Sequence, residues 1–539
     1  MTFGVNRKKM SRVATVITVT AMSLAACGDG GGGNIAGPEE SKSTDFFGYQ
    51  VNAELETTNA ATAFGAANQA QLLAGRLYPS AYVPGPSGQM IPNTDLVEAV
   101  EHTGDSRKVV YTINPEAAYS DGEKITCDDF YLSYKAGSDA ARFGSHVPLM
   151  EQVETFRCAP GAKKFSVSFK KDMGQRWRHL FGPGTVMPAH AIADKAGVEK
   201  RELTEALKND NAAVVDKAAK AWRYGFHLDD FDPAIQVSSG PFKIDKVGEQ
   251  GEVVLVTNDS YYGDKPTLKT LVVWPKSADS AAIQQEQGLQ ILDADKKEPE
   301  WWDRNAPDNP FTSESLVGEL TDTLVLSDAG TLGQQWARQA FNACVDQKGL
   351  AAASSKYSGV KVPPVYYHVI RHADPMHHQL DSTVKEFKGV DKAAAAGLSG
   401  NEIKVGYVGP DDRKKAMVES LQRSCEPAGI TIKDVSSEST TQLDLQPGAD
   451  GNPAIDVFLG EVDPLTEHSD LTAEEFNAKD LAAAEKQMWE DLKSIPVAAE
   501  PRVFLMDRNV RNVVPYTGLS GIGWNMDRWE YPEDDSGND

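Results

Sequence analysis

Four of the chain's ten histidines, His368, His372, His377 and His378, stand within eleven residues, a density at which imidazoles can share a transition metal. No carboxylate or thiolate stands at a recognisable ligand spacing beside them, and Pro363, Pro364 and Pro375 suit a polar surface loop, so no metal site is expected. Catalytic patterns fare worse. A Gly-x-Gly-x-x-Gly run occurs at Gly28, Gly30 and Gly33, but no strand precedes it and no helix follows to present a nucleotide phosphate. Ser87, Ser399 and Ser520 each lack the second glycine of a nucleophile elbow. There is no His-Glu-x-x-His, Cys-x-x-Cys or phosphate-loop pattern either, so neither catalytic residues nor a cofactor is expected, and the chain reads as a binder and not an enzyme.

Aromatic residues support that reading. Trp222, Tyr224, Trp301, Trp302, Trp489, Trp524 and Trp529 offer flat amphipathic surfaces of the kind that line ligand clefts, although most must serve cores. Trp336 is assigned to a core, because it shares a helical stripe with Ala337, Ala340, Phe341 and Cys344. A cleft for a zwitterionic peptide needs a carboxylate for the ammonium end, donors for the carboxylate end and backbone groups for the peptide bonds.

Arg7, Lys8, Lys9 and Arg12 precede an apolar stretch, Val13 to Leu24, that is short for a membrane span, so residues 1–26 read as an export signal. Leu24-Ala25-Ala26-Cys27 resembles the lipobox of bacterial lipoproteins, which makes Cys27 the expected lipidation site and the Gly-rich residues 27–43 a flexible tether. Each buried acyl methylene contributes about 0.8 kcal/mol, enough in sum to hold the chain on the extracytoplasmic face of the cell membrane. Beyond residue 26 there are 50 Lys+Arg against 78 Asp+Glu, the wrong sign for nucleic acid. The remaining 513 residues exceed one ordinary core, so two lobes are expected, in a monomer. Cys127, Cys158, Cys344 and Cys425 form an even set in an exported chain. Sequence order favours Cys127–Cys158 and Cys344–Cys425, each within one lobe and each contributing about 4 kcal/mol.

The elements alternate between strand and helix. Val109, Tyr111 and Ile113 give Lys108 to Asn114 a strand pattern. A turn follows at Ser120-Asp121-Gly122, and Thr126 with Asp129 forms a capping box that starts a helix. Glu252 to Thr257 and Thr270 to Trp274 are strand-like. Ile403, Val405 and Tyr407 mark another strand, a helix runs to about Cys425, Gly429 caps it and Ile430 opens the next strand, a β-α-β unit. Asp456 to Leu459 and Val503 to Met506 add further strands. Lobe I is expected over residues 44–274, completed by 496–539, and lobe II over 275–495.

Tyr119-Ser120-Asp121-Gly122 with Ile125-Thr126-Cys127-Asp128-Asp129-Phe130 resembles the family 5 extracellular solute-binding proteins, which serve dipeptide and oligopeptide importers. Ser239-Gly240-Pro241-Phe242-Lys243-Ile244 and Asn258-Asp259-Ser260-Tyr261-Tyr262-Gly263 carry the same likeness. The four-cysteine layout and the closing Gly523-Trp524-Asn525-Met526-Asp527-Arg528-Trp529 are similar to a mycobacterial lipoprotein of the dipeptide-binding, DppA type. The resemblance implies an α/β fold of the periplasmic-binding-protein kind (type II, cluster C), with a hinge and an interlobe cleft that closes on a short peptide before release to an ABC-transporter permease. The family's second-lobe pattern for the peptide's amino end is degraded here to Gly460-Glu461-Val462-Asp463-Pro464, which leaves Asp463 and Glu461 as the ammonium partners. Asn59, Trp222, Tyr224 and Trp524 are the further candidates for ligand contact. Two other readings stay open: an LpqW-like lipoprotein that keeps the fold but regulates cell-envelope glycolipid synthesis, and a binder of a non-peptide ligand such as haem.

Overall fold

A computed structural model describes residues 46–85, 88–104, 106–286, 288–471 and 477–532; the export signal, the tether and Cys27 lie outside the described residues. The backbone is organised by a mixed ten-stranded sheet in the order Thr431–Asp434, Glu402–Gly406, Val457–Val462, Phe311–Leu326, Ser494–Asp507, Ile291–Ala294, Phe47–Gln50, Thr270–Trp274, Val253–Thr257 and Phe242–Val247. Two long strands dominate its middle. Phe311–Leu326 and Ser494–Asp507 pair antiparallel from Phe311 opposite Asp507 to Val325 opposite Ser494, with irregularities after Val317 and Asp322.

These strands separate two hydrophobic cores, one in each lobe. Tyr49, Phe130, Trp222 and Phe504 belong to the first; Leu324, Phe341, Val457 and Trp489 belong to the second. Along Ser494–Asp507, Phe504 enters the first core while Val503 and Leu505 enter the second, as the two-residue period of a strand requires. The first lobe adds a four-stranded antiparallel sheet in the order Val97–His102, Lys108–Ile113, Lys164–Phe169, Val153–Cys158. Tyr111 and Phe165 are cross-strand partners whose stacked rings lie 4.7 Å apart, and Phe156 stacks on the same phenyl at 5.0 Å.

Local signals act where the sequence places them. The Thr126 N–H donates to Asp129 Oδ2 at 2.8 Å, and the helix Cys127–Ser138 begins there. Glu402–Gly406 and Thr431–Asp434 pair in parallel around the helix Asp412–Cys425, and Gly429 takes the left-handed φ of 79° that ends the helical segment. Past Asp507 the chain returns to the first core, where Ile522, Met526 and Trp529 are buried.

Trp336 departs from expectation: it is 58% exposed. The helix Gln335–Asn342 buries Ala337, Ala340 and Phe341. Trp336 precedes that stripe by one residue, a turn of about 100° around the axis, which carries the indole off the core face.

Cys127–Cys158 and Cys344–Cys425 are bonded, with sequence separations of 31 and 81. Replacing Cys344 and Cys425 together by serine is expected to lower the unfolding free energy by about 4 kcal/mol, through the freedom regained by the unfolded chain. Urea denaturation checks this, and an unchanged midpoint would show that the bridge contributes nothing.

Candidate ligand cleft

Between the lobes lies a cavity of about 100 Å³. On the first lobe its wall is built from Ala60 and the short helix Ala63–Ala67, whose first turn is capped by the Thr62 hydroxyl accepting from the Gly65 N–H at 2.9 Å. Alanines there let the backbone come close. On the second lobe the wall is the strand Val457–Val462: Val457 and Leu459 enter the core, while Phe458 and Gly460 face the cavity. A Cβ on Gly460 would stand 2.5 Å from the Phe458 ring, so glycine is what lets that ring lie along the strand.

The hinge side of this wall is ionic. Asp322 and Glu461 stand directly opposite each other on two paired strands, a repulsive arrangement for like charges. Arg413 bridges them, donating Nη1 to Asp322 Oδ2 at 2.6 Å and Nη2 to Asp322 Oδ1 at 3.0 Å and Glu461 Oε1 at 2.6 Å. Lys414 Nζ lies 2.9 Å from Glu461 Oε2. Both cations sit in the first turn of the helix Asp412–Cys425, where the helix dipole opposes positive charge, so the carboxylates must hold them there. Asp411 caps the same turn, its Oδ1 accepting from the Lys414 N–H at 2.8 Å. Burial works against charge on Glu461, but Lys414 and Arg413 outweigh it and keep its carboxyl below the usual range. Beyond them Arg502 donates Nη2 to Asp293 Oδ2 at 2.5 Å and Nη1 to Glu500 Oε1 at 3.2 Å. Burial lifts Asp293 to about 6 against the pull of Arg502. Glu500 rises to about 7, from burial first and then the carboxylates of Glu461 and Asp322.

Asp463, just past the strand, forms a second ionic group. Arg371 donates Nε to Asp463 Oδ1 at 3.1 Å and Nη2 to Oδ2 at 2.7 Å, and the same guanidinium meets Glu319. Burial pushes the adjacent His179 down to about 4, with the nearby arginines adding to the effect, so the imidazole is neutral at neutral pH.

Side chains of the first lobe also reach the second lobe directly. Arg176 donates to the carbonyls of Pro464, at 2.6 Å, and Val369. Gln152 Nε2 donates to the Leu471 carbonyl at 3.4 Å. His146 Nε2 lies 3.0 Å from Glu467 Oε2. Burial opposes charge on both partners of this last pair, yet each raises the charged form of the other: His146 is shifted up and Glu467 down.

Of the residues expected to touch ligand, Asp463 and Glu461 line the cavity, but each is already engaged by a cation. The other four are displaced from it. Trp222 is fully buried, its indole N–H donating to Ser145 Oγ at 3.0 Å. Asn59 is a structural bracket, donating Nδ2 to the Trp222 carbonyl at 2.8 Å and accepting from the Ala61 N–H at 3.1 Å. Tyr224 is exposed, packed edge-on to His227. Trp524 donates to the Val514 carbonyl at 2.8 Å, away from the lining. The large aromatics fill cores because each buries so much apolar area; among the described residues the cavity is lined by one phenyl, Phe458, with alanines and histidines around it. Trp301 and Trp302 pack with the second core, as does Trp489. Sequence reasoning missed Arg176, Arg371, His146 and His179. Arg371 sits inside the stretch whose histidines drew attention as metal ligands. Those histidines do not converge: His368 is buried with Nδ1 2.7 Å from Glu485 and Nε2 3.0 Å from the Ser494 carbonyl, while the His377 and His378 rings contact each other at 3.8 Å.

The architecture is thus two lobes, two crossing strands and a cavity between them. The model described as bacterial extracellular solute-binding proteins, family 5 middle, matches residues 92–462, and the chain belongs to that family, whose members bind solutes without turning them over. An uncharacterized lipoprotein of Mycobacterium leprae is 29% identical, covering 98% of both chains, and one of Mycobacterium tuberculosis is 27% identical, covering 96% of both. Among solved structures, the oligopeptide-binding protein of Thermus thermophilus with a pentapeptide superposes at TM-score 0.65 with 14% identity, covering 90% of this chain and 96% of that one. AgaA of A. tumefaciens with agropinic acid also gives 0.65, at 14% identity and 90% and 99% coverage; the EDTA-binding protein EppA gives 0.63, at 16% identity and 90% and 96%. These likenesses establish the fold. Among the described residues no helix is long and apolar enough to cross a membrane.

The His146–Glu467 contact is expected to make closure of the lobes depend on pH. Because His146 is shifted up from 6.5, its contribution is complete below that value and is lost as pH rises through the raised pKa. Glu467, shifted down from 4.5, contributes above that value and loses its contribution as pH falls through the lowered pKa. Glu151, His468 and Gln442 also face the pair. Small-angle scattering is expected to give a smaller radius of gyration at pH 5.5 than at pH 8.5, with Glu467→Gln removing the difference; an equal radius in the unmodified chain contradicts the latch. Separately, Arg413→Met strands Asp322 opposite Glu461 and is expected to cost about 3–5 kcal/mol in chemical denaturation.

Proposed function

We propose that this protein is the lipid-anchored, extracytoplasmic receptor of an ABC importer, taking short peptides into the interlobe cleft and delivering them to the membrane permease. One observation carries the choice of ligand. Arg371 is shared by Asp463 and Glu319, so two carboxylates meet one guanidinium at the cleft wall, and His179 beside them is neutral. Burial opposes charge on Asp463, but Arg371 outweighs it and holds the carboxyl below its usual range, so Asp463 is a ready anion at the cleft wall. The ammonium end of a peptide takes the place of Arg371 on Asp463, while Arg371 stays with Glu319. Gln71, Thr185, Gln442 and Thr466 line the same cavity and offer donors and acceptors for the carboxylate end and the peptide groups. The lipoprotein relatives support an anchor at Cys27.

A second reading has one observation in its favour. The cavity of about 100 Å³ falls below the roughly 300–1,000 Å³ of common ligand pockets. A fold held shut for a regulatory role in envelope glycolipid synthesis needs no larger space, whereas a carrier must open its lobes for anything beyond a small guest.

Calorimetric titration with a small library of short peptides separates the two. Saturable binding is expected, weakened about tenfold or more by acetylating the peptide's amino end. Asp463→Asn is expected to weaken the free peptide as much and the acetylated one no further, since both changes remove the same contact. Absence of binding by every peptide favours regulation, and equal binding of acetylated peptides removes Asp463 from the ammonium role.

A further inference from the structure

We infer that the hinge end of the cleft holds a second cation subsite, shaped for the primary ammonium at the tip of a guest's side chain, so that solutes with lysine- or ornithine-type side chains are the favoured cargo. The inference rests on the interlobe cleft being the solute site. A separate polar pocket of about 20 Å³ lies there, and Glu461 lines both it and the larger cavity. That volume suits one water-sized group, which an ammonium head is and a planar guanidinium is not.

Its lining is acidic. Asp295, Asp411, Glu461 and Glu500 contribute carboxylates, and Asn52 contributes an amide. Glu500 is only 3% exposed; its Oε1 accepts from Arg502, while its Oε2 and the buried Asn52 Oδ1 meet no donor from the described residues of the protein. Two unsatisfied oxygens at one small pocket are the acceptors an ammonium group requires. Lys276 and Arg413 also line it, but each is committed: Lys276 Nζ lies 3.4 Å from Asp411 Oδ2, and Arg413 is fastened to Asp322 and Glu461.

The charge balance of the surroundings gives the same answer. Around the hinge the carboxylates of Asp293, Asp295, Asp322, Asp411, Glu461 and Glu500 outnumber the cations Lys276, Arg413, Lys414 and Arg502. Among the buried groups, Asp293, Asp322, Glu461 and Glu500 exceed Arg413, Lys414 and Arg502 by one, and such a surplus is relieved either by a proton or by an arriving cation. The raised carboxyl of Glu500 marks where the proton sits, and an entering ammonium displaces it to solvent.

The test uses the full chain and two matched pairs of probes. Leu-Lys and Leu-norleucine differ only by the side-chain ammonium, and hexylamine and 1-hexanol repeat that comparison without a peptide. Leu-Lys is expected to bind about tenfold or more tighter than Leu-norleucine, and hexylamine to bind where hexanol does not. Calorimetry in buffers of different ionisation enthalpy is expected to show proton release with the ammonium-bearing member of each pair near pH 6.5. Glu500→Gln is expected to shrink both preferences below about threefold and to abolish the release; Asn52→Leu provides a second variant that weakens the preference should the first fold poorly. Equal binding of the two dipeptides with no response to hexylamine overturns the subsite while leaving peptide binding intact. Glu500-dependent binding of hexylamine with no binding of either dipeptide supports the subsite and removes the peptide reading, and no binding of any probe overturns both.

Discussion

The guanidinium of Arg413 between Asp322 and Glu461 is the contact on which the architecture turns. Those two carboxylates are forced together by strand register, because Phe311–Leu326 and Val457–Val462 place them side by side. The same register sends Leu324, Val457 and Leu459 into the second core and presents Phe458 and Gly460 to the cleft. A slip of one residue would turn every one of these side chains to the opposite face. The ion pair therefore does more than neutralise charge: it joins the helix Asp412–Cys425 to the strands whose register decides which residues form the cleft wall.

Around that contact the protein keeps more carboxylates than cations, in a chain whose overall formal charge is −24. At the surface such an imbalance is solvated and inexpensive. Inside the hinge it is not, and burial raises Glu500 and Asp293 there. Sites held in that condition gain when a positively charged guest arrives, which links fold stability to ligand affinity through shared charges. The cross-lobe contacts of Arg176 and His146 act on a different quantity, the population of the shut form, since they exist only when the lobes meet.

Much of this was legible in residue patterns, and for identifiable reasons. Alternation at Val109, Tyr111 and Ile113, the capping box at Thr126 and Asp129, and the glycine at 429 act through neighbours in sequence, so they could be read locally. The resemblance carried by Tyr119 to Phe130 and Ser239 to Ile244 led to the family and the fold. The length of the crossing strands escaped, because Ser494–Asp507 is buried almost throughout yet carries Pro496, Glu500, Pro501 and Arg502, so its residues show neither alternation nor an unbroken apolar run. The cleft was legible only in part. Glu461 and Asp463 were singled out through a family pattern and line the cavity, but their cations come from positions 371, 413 and 414, and nothing in the sequence records such pairings. Trp222 and Asn59 were misplaced for a related reason: an aromatic or amide that looks available in sequence is available only if no partner claims it in the fold.

The most direct measurement of the central claim is the mass of what the cleft carries. Native mass spectrometry of the full-length protein purified from cells is predicted to show a ladder of small adducts. On activation these should leave as short peptides enriched in basic side chains. A single mass equal to the unliganded chain, unchanged after incubation with a peptide digest, would contradict the account.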